Sequence, residues 1–261
     1  MAKDILTSGS GTLIGMVHCL PLPGSACYGG DFQKVIDQAV ADARTLEEAG
    51  FDAVIVENMN DLPASARLNK IQTAALTACA CAVRQAISLP MGIDAAFCDP
   101  EAGLAIAAVS GAEFIRNAVY VDTVLFTDGL LMPTCRETIE LRNRLGIPQV
   151  KILADVQVKH THMLANVDIK DSIHDAVSNG ADVLIITGAA CGMEAPIDLV
   201  RTAKSLVNIP VLAGSGVNAG NIKEQFTVAD GGIIGSSIKK GGILTNPVDP
   251  ELARKVVDAT K

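Results

Sequence analysis

The sequence predicts an α/β protein, a single (β/α)8 TIM barrel formed by residues 1–261. Three observations lead there. The 261-residue length suits one such barrel. Eight short β-branched runs recur roughly every 20–40 residues, each followed by a helical pattern, the rhythm of a parallel sheet. No linker, low-complexity tract or charge run divides the chain. A doubly wound sheet fits less well, because the first strand leads into Pro21-Leu-Pro-Gly24 rather than a glycine-rich phosphate loop.

The predicted strands are Thr12–Val17, Ala53–Glu57, Met91–Asp94, Glu113–Asn117, Val150–Val158, Val183–Thr187, Val211–Ala213 and Gly232–Gly235. Between them the helices carry start and stop signals. Asp31 caps a stripe of Phe32, Val35, Ile36, Ala39, Val40, Ala43 and Leu46 that stops at Gly50. Asp99-Pro100 and Asp249-Pro250 are N-caps followed by proline at the first helical position, and Gly111 closes the first of these helices. Thr134 with Glu137 has the spacing of a capping box. Two more stripes, from Ile169 to Val177 and from Leu199 to Val207, complete the set.

Composition narrows the function. Lys and Arg number 21 against 29 Asp and Glu, a net charge of −8, so the chain lacks the basic face of a general nucleic-acid binder. Aromatics are 3% with no Trp, which argues against base-stacking platforms. At 49% hydrophobic residues the chain folds rather than staying disordered. The weakly polar run at Thr73–Val83 is too short for a bilayer, and Met1–Gly11 shows no positive-then-apolar leader pattern, so a cytoplasmic protein with no integral membrane segment is expected. Seven cysteines without a Cys-x-x-Cys pair read as small buried hydrophobes.

In a barrel, chemistry sits in the loops after the strands. The seventh strand runs into Gly214-Ser215-Gly216 and the eighth into Gly235-Ser236, with Lys239 beyond. Two glycine-serine turns on consecutive strands point to a phosphate site built from backbone N–H groups, with Lys239 adding charge. On the fifth strand, period two places Asp155, Gln157 and Lys159 on the inward face. Lys159 is a candidate electrophile, acid or Schiff-base nucleophile, or else half of a buried ion pair with Asp155 or Glu57. Glu57 and His18, ending the second and first strands, are candidate acid–base groups. Asn58, Asp61, Asp94, Arg116, His160 and Thr187 complete the expected substrate contacts. His160 and His162 are a candidate metal pair, and His174 reads as structural.

In order, these pieces resemble the BtpA/SgcQ family. The matching stretches are Gly15 through Gly24 (GMVHCLPLPG), Val56-Glu57-Asn58 with Asp61, Phe114-Ile-Arg116, and Ala154 through His160 (ADVQVKH). They continue with Thr187-Gly188 and Gly192, Gly214 through Val217, and Ala229-Asp230-Gly231 onward to Lys239-Lys-Gly241. The resemblance covers nearly the whole chain and implies a TIM-barrel protein of predicted-enzyme type. Some members are linked to photosystem I biogenesis, others to sugar-uptake gene clusters. The chain departs from the family after the third strand, where Asp94-Ala-Ala-Phe97-Cys98-Asp99 replaces a usual Asn and Arg-Asn-Asp run, and before Gly192, where Cys191 replaces a usual Thr.

The leading expectation is an enzyme acting on a small phosphorylated metabolite, as a sugar-phosphate isomerase, epimerase or aldolase-type lyase, and a homo-oligomer. No cofactor is called for. One alternative is a metal-assisted hydrolase or nucleosidase-like enzyme using His18, Glu57, Asp155 and His160 with a divalent ion. Another is a non-catalytic assembly or stability factor, which an exposed apolar or basic patch would favour.

Overall fold

The computed structural model describes residues 6, 7, 9, 11–188, 190 and 192–261, so Cys191 lies outside the described residues. Its strands are β1 (Thr12–His18), β2 (Ala53–Glu57), β3 (Met91–Asp94), β4 (Phe114–Asn117), β5 (Val124–Phe126), β6 (Gly129–Leu131), β7 (Lys151–Val156), β8 (His162–Met163), β9 (Val183–Ile186), β10 (Val211–Ala213) and β11 (Gly231–Ile234). Eight of them close a parallel barrel in the order β1-β11-β10-β9-β7-β4-β3-β2. Around it lie α1 (Phe32–Ala49), α2 (Lys70–Ala86), α3 (Pro100–Ser110), α4 (Cys135–Arg144), α5 (Ile169–Ser178), α6 (Ile197–Leu206), α7 (Ile222–Gln225) and α8 (Pro250–Asp258). The remaining strands form a small antiparallel sheet, β6-β5-β8, which the sequence reading did not anticipate.

Local signals explain most boundaries. Asp31, Asp99 and Asp249 accept hydrogen bonds from the first turns of α1, α3 and α8, and Gly50 and Gly111 end α1 and α3 in left-handed conformations. The Thr134–Glu137 box does not form. The Thr134 hydroxyl turns inward to the Val119 carbonyl, and Glu137 reaches Arg67 at 2.6 Å instead. The fifth barrel strand stops at Val156, two residues earlier than predicted, because Gln157 adopts φ 46.

Alternation along each strand separates two cores. Ile14, Met16, Ala53, Ile55, Phe114, Leu153, Val183, Ile185, Leu212 and Ile233 fill the barrel. Leu13, Val17, Val54, Ile93, Ile115, Ile152, Ala154 and Ile186 face the helices in the larger cluster. Inside, space is tight enough that a Cβ on Gly92 would sit 2.1 Å from the Phe114 ring.

At the foot of the barrel one device repeats four times. Asp52, Glu113, Asp182 and Asp230, each just before an alternate barrel strand, accept from Leu13, Met91, Ile152 and Val211 N–H of the neighbouring strand. Each carboxylate satisfies a donor that the parallel ladder leaves open at its start, a net gain of about 1 kcal/mol or more apiece.

Lys239 departs from its predicted role. It is fully buried, pairs with Asp42 of α1, and does not line the cavity at the barrel mouth. The other Asp42 oxygen accepts from Val248 N, so the pair clasps the segment after β11 against α1. Removing one partner strands a buried charge. Lys239→Met should cost about 3–5 kcal/mol in denaturant unfolding, and Lys239→Met with Asp42→Leu should recover part of it. An unchanged unfolding midpoint for the single variant would show that this pair is not a clasp.

Candidate functional site

The last inward position of each barrel strand, or the residue just past it, builds the mouth. Around the ring these are His18, Glu57, Asp94, Arg116, Asp155, Thr187, Gly214 and Gly235. Six polar side chains and two glycines therefore cap an apolar barrel interior. Above them opens a cavity of about 230 Å³.

Most residues singled out from sequence meet in this cavity. His18, Glu57, Asn58, Asp61, Asp94, Arg116, Lys159, His160, Gly214, Ser215, Gly216, Gly235 and Ser236 all line it. Three do not. Lys239 is clasped elsewhere, as described above. Asp155 lies beneath the floor, with both oxygens taken by Arg116 at 2.8–3.3 Å. Thr187 stands at the edge, where its hydroxyl accepts from Lys159 N–H at 3.3 Å.

The buried ion pair expected for Lys159 belongs to Arg116. Its guanidinium spans Asp155 at 2.8 Å and Asp94 at 3.4 Å. Among the described residues no carboxylate lies within 4 Å of the Lys159 ammonium. Lys159 reaches the mouth from the loop after β7 rather than by strand alternation. The left-handed Gln157 turns its own side chain outward to Val167 O and Ser172 Oγ near the start of α5, which corrects its inward placement. Asp61 is also committed, accepting from Leu22 N, Asn58 Nδ2 and Gln72 Nε2 at 2.7–3.0 Å, so it anchors the loop after β2 rather than offering a base.

Charge at the floor is uneven. Burial pushes the Glu57 carboxyl up, but His18, whose Nε2 lies 3.4 Å from Oε2, and then Arg116 and Lys159 outweigh it and hold the group below its ordinary value. Asp94 goes the other way. Burial and repulsion from Glu57 push it well above the carboxylate range despite Arg116. Asp155 is also raised, chiefly by burial. His18 Nδ1 is buried with no partner among the described residues. The neighbouring His160 is exposed and shifted down by partial burial and by Lys159.

The loops after β10 and β11 present backbone instead of side chains. The N–H groups of Ser215, Gly216, Gly235 and Ser236 have no acceptor among the described residues. Gly216 adopts φ +69, and a Cβ there would lie 2.4 Å from the Met193 and Glu194 backbone. Ser215 turns its hydroxyl to Gly188 N–H at 2.7 Å. Among the described residues no group of three or more His, Cys, Asp and Glu side chains is arranged to hold a metal ion. His162 is exposed on β8, and His174 is exposed on α5. Sequence reasoning missed Phe97 and Phe126, which stack at the cavity wall with centroids 4.0 Å apart. The β5–β6 hairpin that brings Phe126 there carried no strand signal longer than three residues.

These opposite shifts have a consequence for pH. Between the ordinary carboxylate value and its raised one, Asp94 holds a proton in the folded protein that the unfolded chain releases. Stability should therefore fall as pH rises through that window, by at most about 1.4 kcal/mol per pH unit for this group. Asp94→Asn should flatten the slope measured by denaturant unfolding between pH 5 and 8, leaving the smaller part due to Asp155. An identical slope in the variant would rule out Asp94 as the source.

Comparison with known proteins agrees with this architecture. The family model of the BtpA family matches residues 10–261. An uncharacterized protein of Thermococcus kodakarensis is 42% identical over 251 residues, covering 95% of each chain. The photosystem I biogenesis protein BtpA of Synechocystis is 34% identical over 250 residues, covering 95% of this chain and 87% of that protein. Among solved structures, (S)-3-O-geranylgeranylglyceryl phosphate synthase from Thermoplasma acidophilum, in complex with sn-glycerol-1-phosphate, superposes with a TM-score of 0.61. It is 16% identical and covers 96% of this chain and 93% of that one, a likeness of TIM-barrel fold. By family model and by relatives along nearly its whole length, the chain belongs to the BtpA family.

Proposed function

We propose that this protein is an enzyme acting on a small phosphorylated metabolite, a sugar phosphate or related phosphoester, as an isomerase, epimerase or aldolase-type lyase. One observation carries the reading. Four open backbone N–H groups, at Ser215, Gly216, Gly235 and Ser236, border the cavity that also holds Lys159 and the His18–Glu57 pair. Converging N–H donors on glycine turns form an anion site, and in this fold the loops after the last two barrel strands are its usual place. The phosphate synthase of similar fold holds sn-glycerol-1-phosphate, which supports a phosphoester at such a barrel mouth.

Anchoring the phosphate orients the reacting carbon over the floor. There the Glu57 carboxyl is shifted down by His18 against its burial and the Asp94 carboxyl is shifted up by burial and Glu57, a division suited to base and acid roles. Lys159, free of ion pairs within 4 Å among the described residues, supplies a cation for a developing enolate or an amine for an imine. Arg116 and Asp155 position this set, since Asp155 does not reach the cavity.

A second reading, a non-catalytic assembly factor, is supported by one feature. Leu125, Leu130, Met132 and Leu164 lie exposed on the outer face of the β6-β5-β8 sheet, with Leu125 and Leu130 paired across strands. Under this reading Leu125→Glu with Leu130→Glu abolishes biological effect while site variants are neutral; under the first reading the reverse holds.

Two measurements test the enzymatic reading. Calorimetric titration with inorganic phosphate and sugar phosphates should show binding that Ser236→Asp weakens tenfold or more, about 1.4 kcal/mol. Ser236 is the better site for this variant because any side chain at Gly216 would strike backbone. Equal binding by the folded variant would remove the anion site. Separately, borohydride reduction with keto- and aldo-phosphates should leave an adduct on the peptide containing Lys159 if the lysine forms an imine. No adduct, with activity lost in Lys159→Met, assigns it the electrostatic role, and full activity in that variant excludes both.

A further inference from the structure

The cavity has two unlike ends. In the ring of strands, β10 and β11 stand four places from β3 and β4, so the open N–H groups and the loops after β3 and β4 face one another across the mouth. On the far side Asp94 and Arg116 lie at the floor, and the loops above them bring aromatic rings. Phe97, from the loop after β3, stacks on Phe126 of β5 at 4.0 Å and 10°. Val158 packs in the same apolar cluster as Phe97 and also lines the cavity. The chain has only six Phe and no Trp, yet two of those six are left partly exposed on one cavity wall.

That wall is held in place rather than merely collapsed. Ala96 adopts φ 52, a conformation that costs a non-glycine residue of order 1–3 kcal/mol unless its surroundings enforce it. They do: Ala96 N–H donates to Asn58 Oδ1 at 2.8 Å, Phe97 N–H to Ser65 O at 3.0 Å, and Cys98 N–H to Ala66 O at 2.9 Å. The hairpin is tied to the same strut, since Asp128 Oδ2 accepts from Ala66 N–H at 2.9 Å. Three loops thus fix two stacked rings beside the cavity. A flat unsaturated ring gains more by stacking on such a wall than a chain of hydroxylated carbons does.

We infer that the ligand carries a planar unsaturated ring at the end opposite its phosphate, seated against Phe97 and Phe126. The inference rests on the phosphate site proposed above and narrows its substrate class from sugar phosphates in general to ring-bearing phosphoesters. The ligand then lies across the mouth, with its middle atoms over Lys159, Glu57 and Asp94.

The test compares ligands that share a phosphate and differ in the ring. Ribose 5-phosphate is titrated beside a purine nucleoside monophosphate, a pyrimidine nucleoside monophosphate and a phosphorylated pyridine, which distinguish the kind of ring. At least one ring-bearing ligand should bind about tenfold or more tighter than ribose 5-phosphate. Phe126→Leu and Phe97→Leu should each erase most of that ratio while leaving ribose 5-phosphate affinity unchanged, which also reports that the variants are folded. Ser236→Asp should weaken all the phosphates and preserve the ratio. Ring-bearing ligands that bind no better than ribose 5-phosphate, with Ser236→Asp still weakening both, would overturn the ring and spare the anion site. Absence of phosphate-dependent binding in every arm would overturn both.

Discussion

Arg116 is the interaction on which the barrel mouth depends. Three carboxyl groups, on Glu57, Asp94 and Asp155, crowd the top of a closed barrel whose remaining interior is apolar. Ionised groups so buried are costly unless paired. Arg116 meets this with one planar guanidinium, bidentate to Asp155 and reaching Asp94. Because Arg116 takes the deepest acid, Lys159 stays free above the floor. Because His18, Arg116 and Lys159 hold Glu57 down while burial and the charge of Glu57 push Asp94 up, the two carboxyls separate in acidity. A lysine at position 116 would keep the charge but lose the fork that serves two acids at once.

The other half of the mouth is made by omission. Where six strands end in polar side chains, β10 and β11 lead into Gly214 and Gly235. A Cβ on Gly214 would lie 2.3 Å from Ile185 Cγ2, and one on Gly235 would lie 3.0 Å from His18 Cε1. Small residues here let the backbone itself form the wall, with N–H groups that have no acceptor among the described residues, while His18 keeps its place. The asymmetry of the cavity, donors on one side and rings on the other, follows from which strands end in glycine and which loops are long enough to fold back.

How much of this was legible follows from its physical range. Period two and helix caps are local, so the eight barrel strands, the Asp31, Asp99 and Asp249 caps, and the meeting of Glu57, Arg116 and Lys159 at one rim could be read from the chain. Pairing partners are not local. Nothing adjacent to Lys239 announces Asp42, 197 positions away, nor does the spacing of Asp155 distinguish Arg116 from Lys159 as its partner. The fourfold acid at the foot of the barrel is legible in the chain. Asp52, Glu113, Asp182 and Asp230 each precede an alternate strand, a repeat that shows only when strands are counted in pairs. The hairpin was hidden because its strands are three residues each and its outer face is apolar, contrary to the alternation of a solvated sheet.

Strain follows the same division. Among the described residues, the non-glycine positions with left-handed backbone are Ala96, Gln157 and His160. All three lie just past barrel strands, on the loops after β3 and β7, and none occurs at the foot or in the helices. Such conformations persist only where surrounding structure enforces them. Two of them aim a neighbour. Ala96 precedes Phe97, held by Asn58, and Gln157 ends the strand so that Lys159 rises into the cavity beside Thr187. The rigid ladder below, with its four capped feet, is what lets the rim keep these bends. Barrel closure and site geometry are therefore one mechanical problem: weakening the foot should loosen the aim of Lys159 and Phe97 before it opens the barrel, because the bends hold the least favourable backbone in the ring.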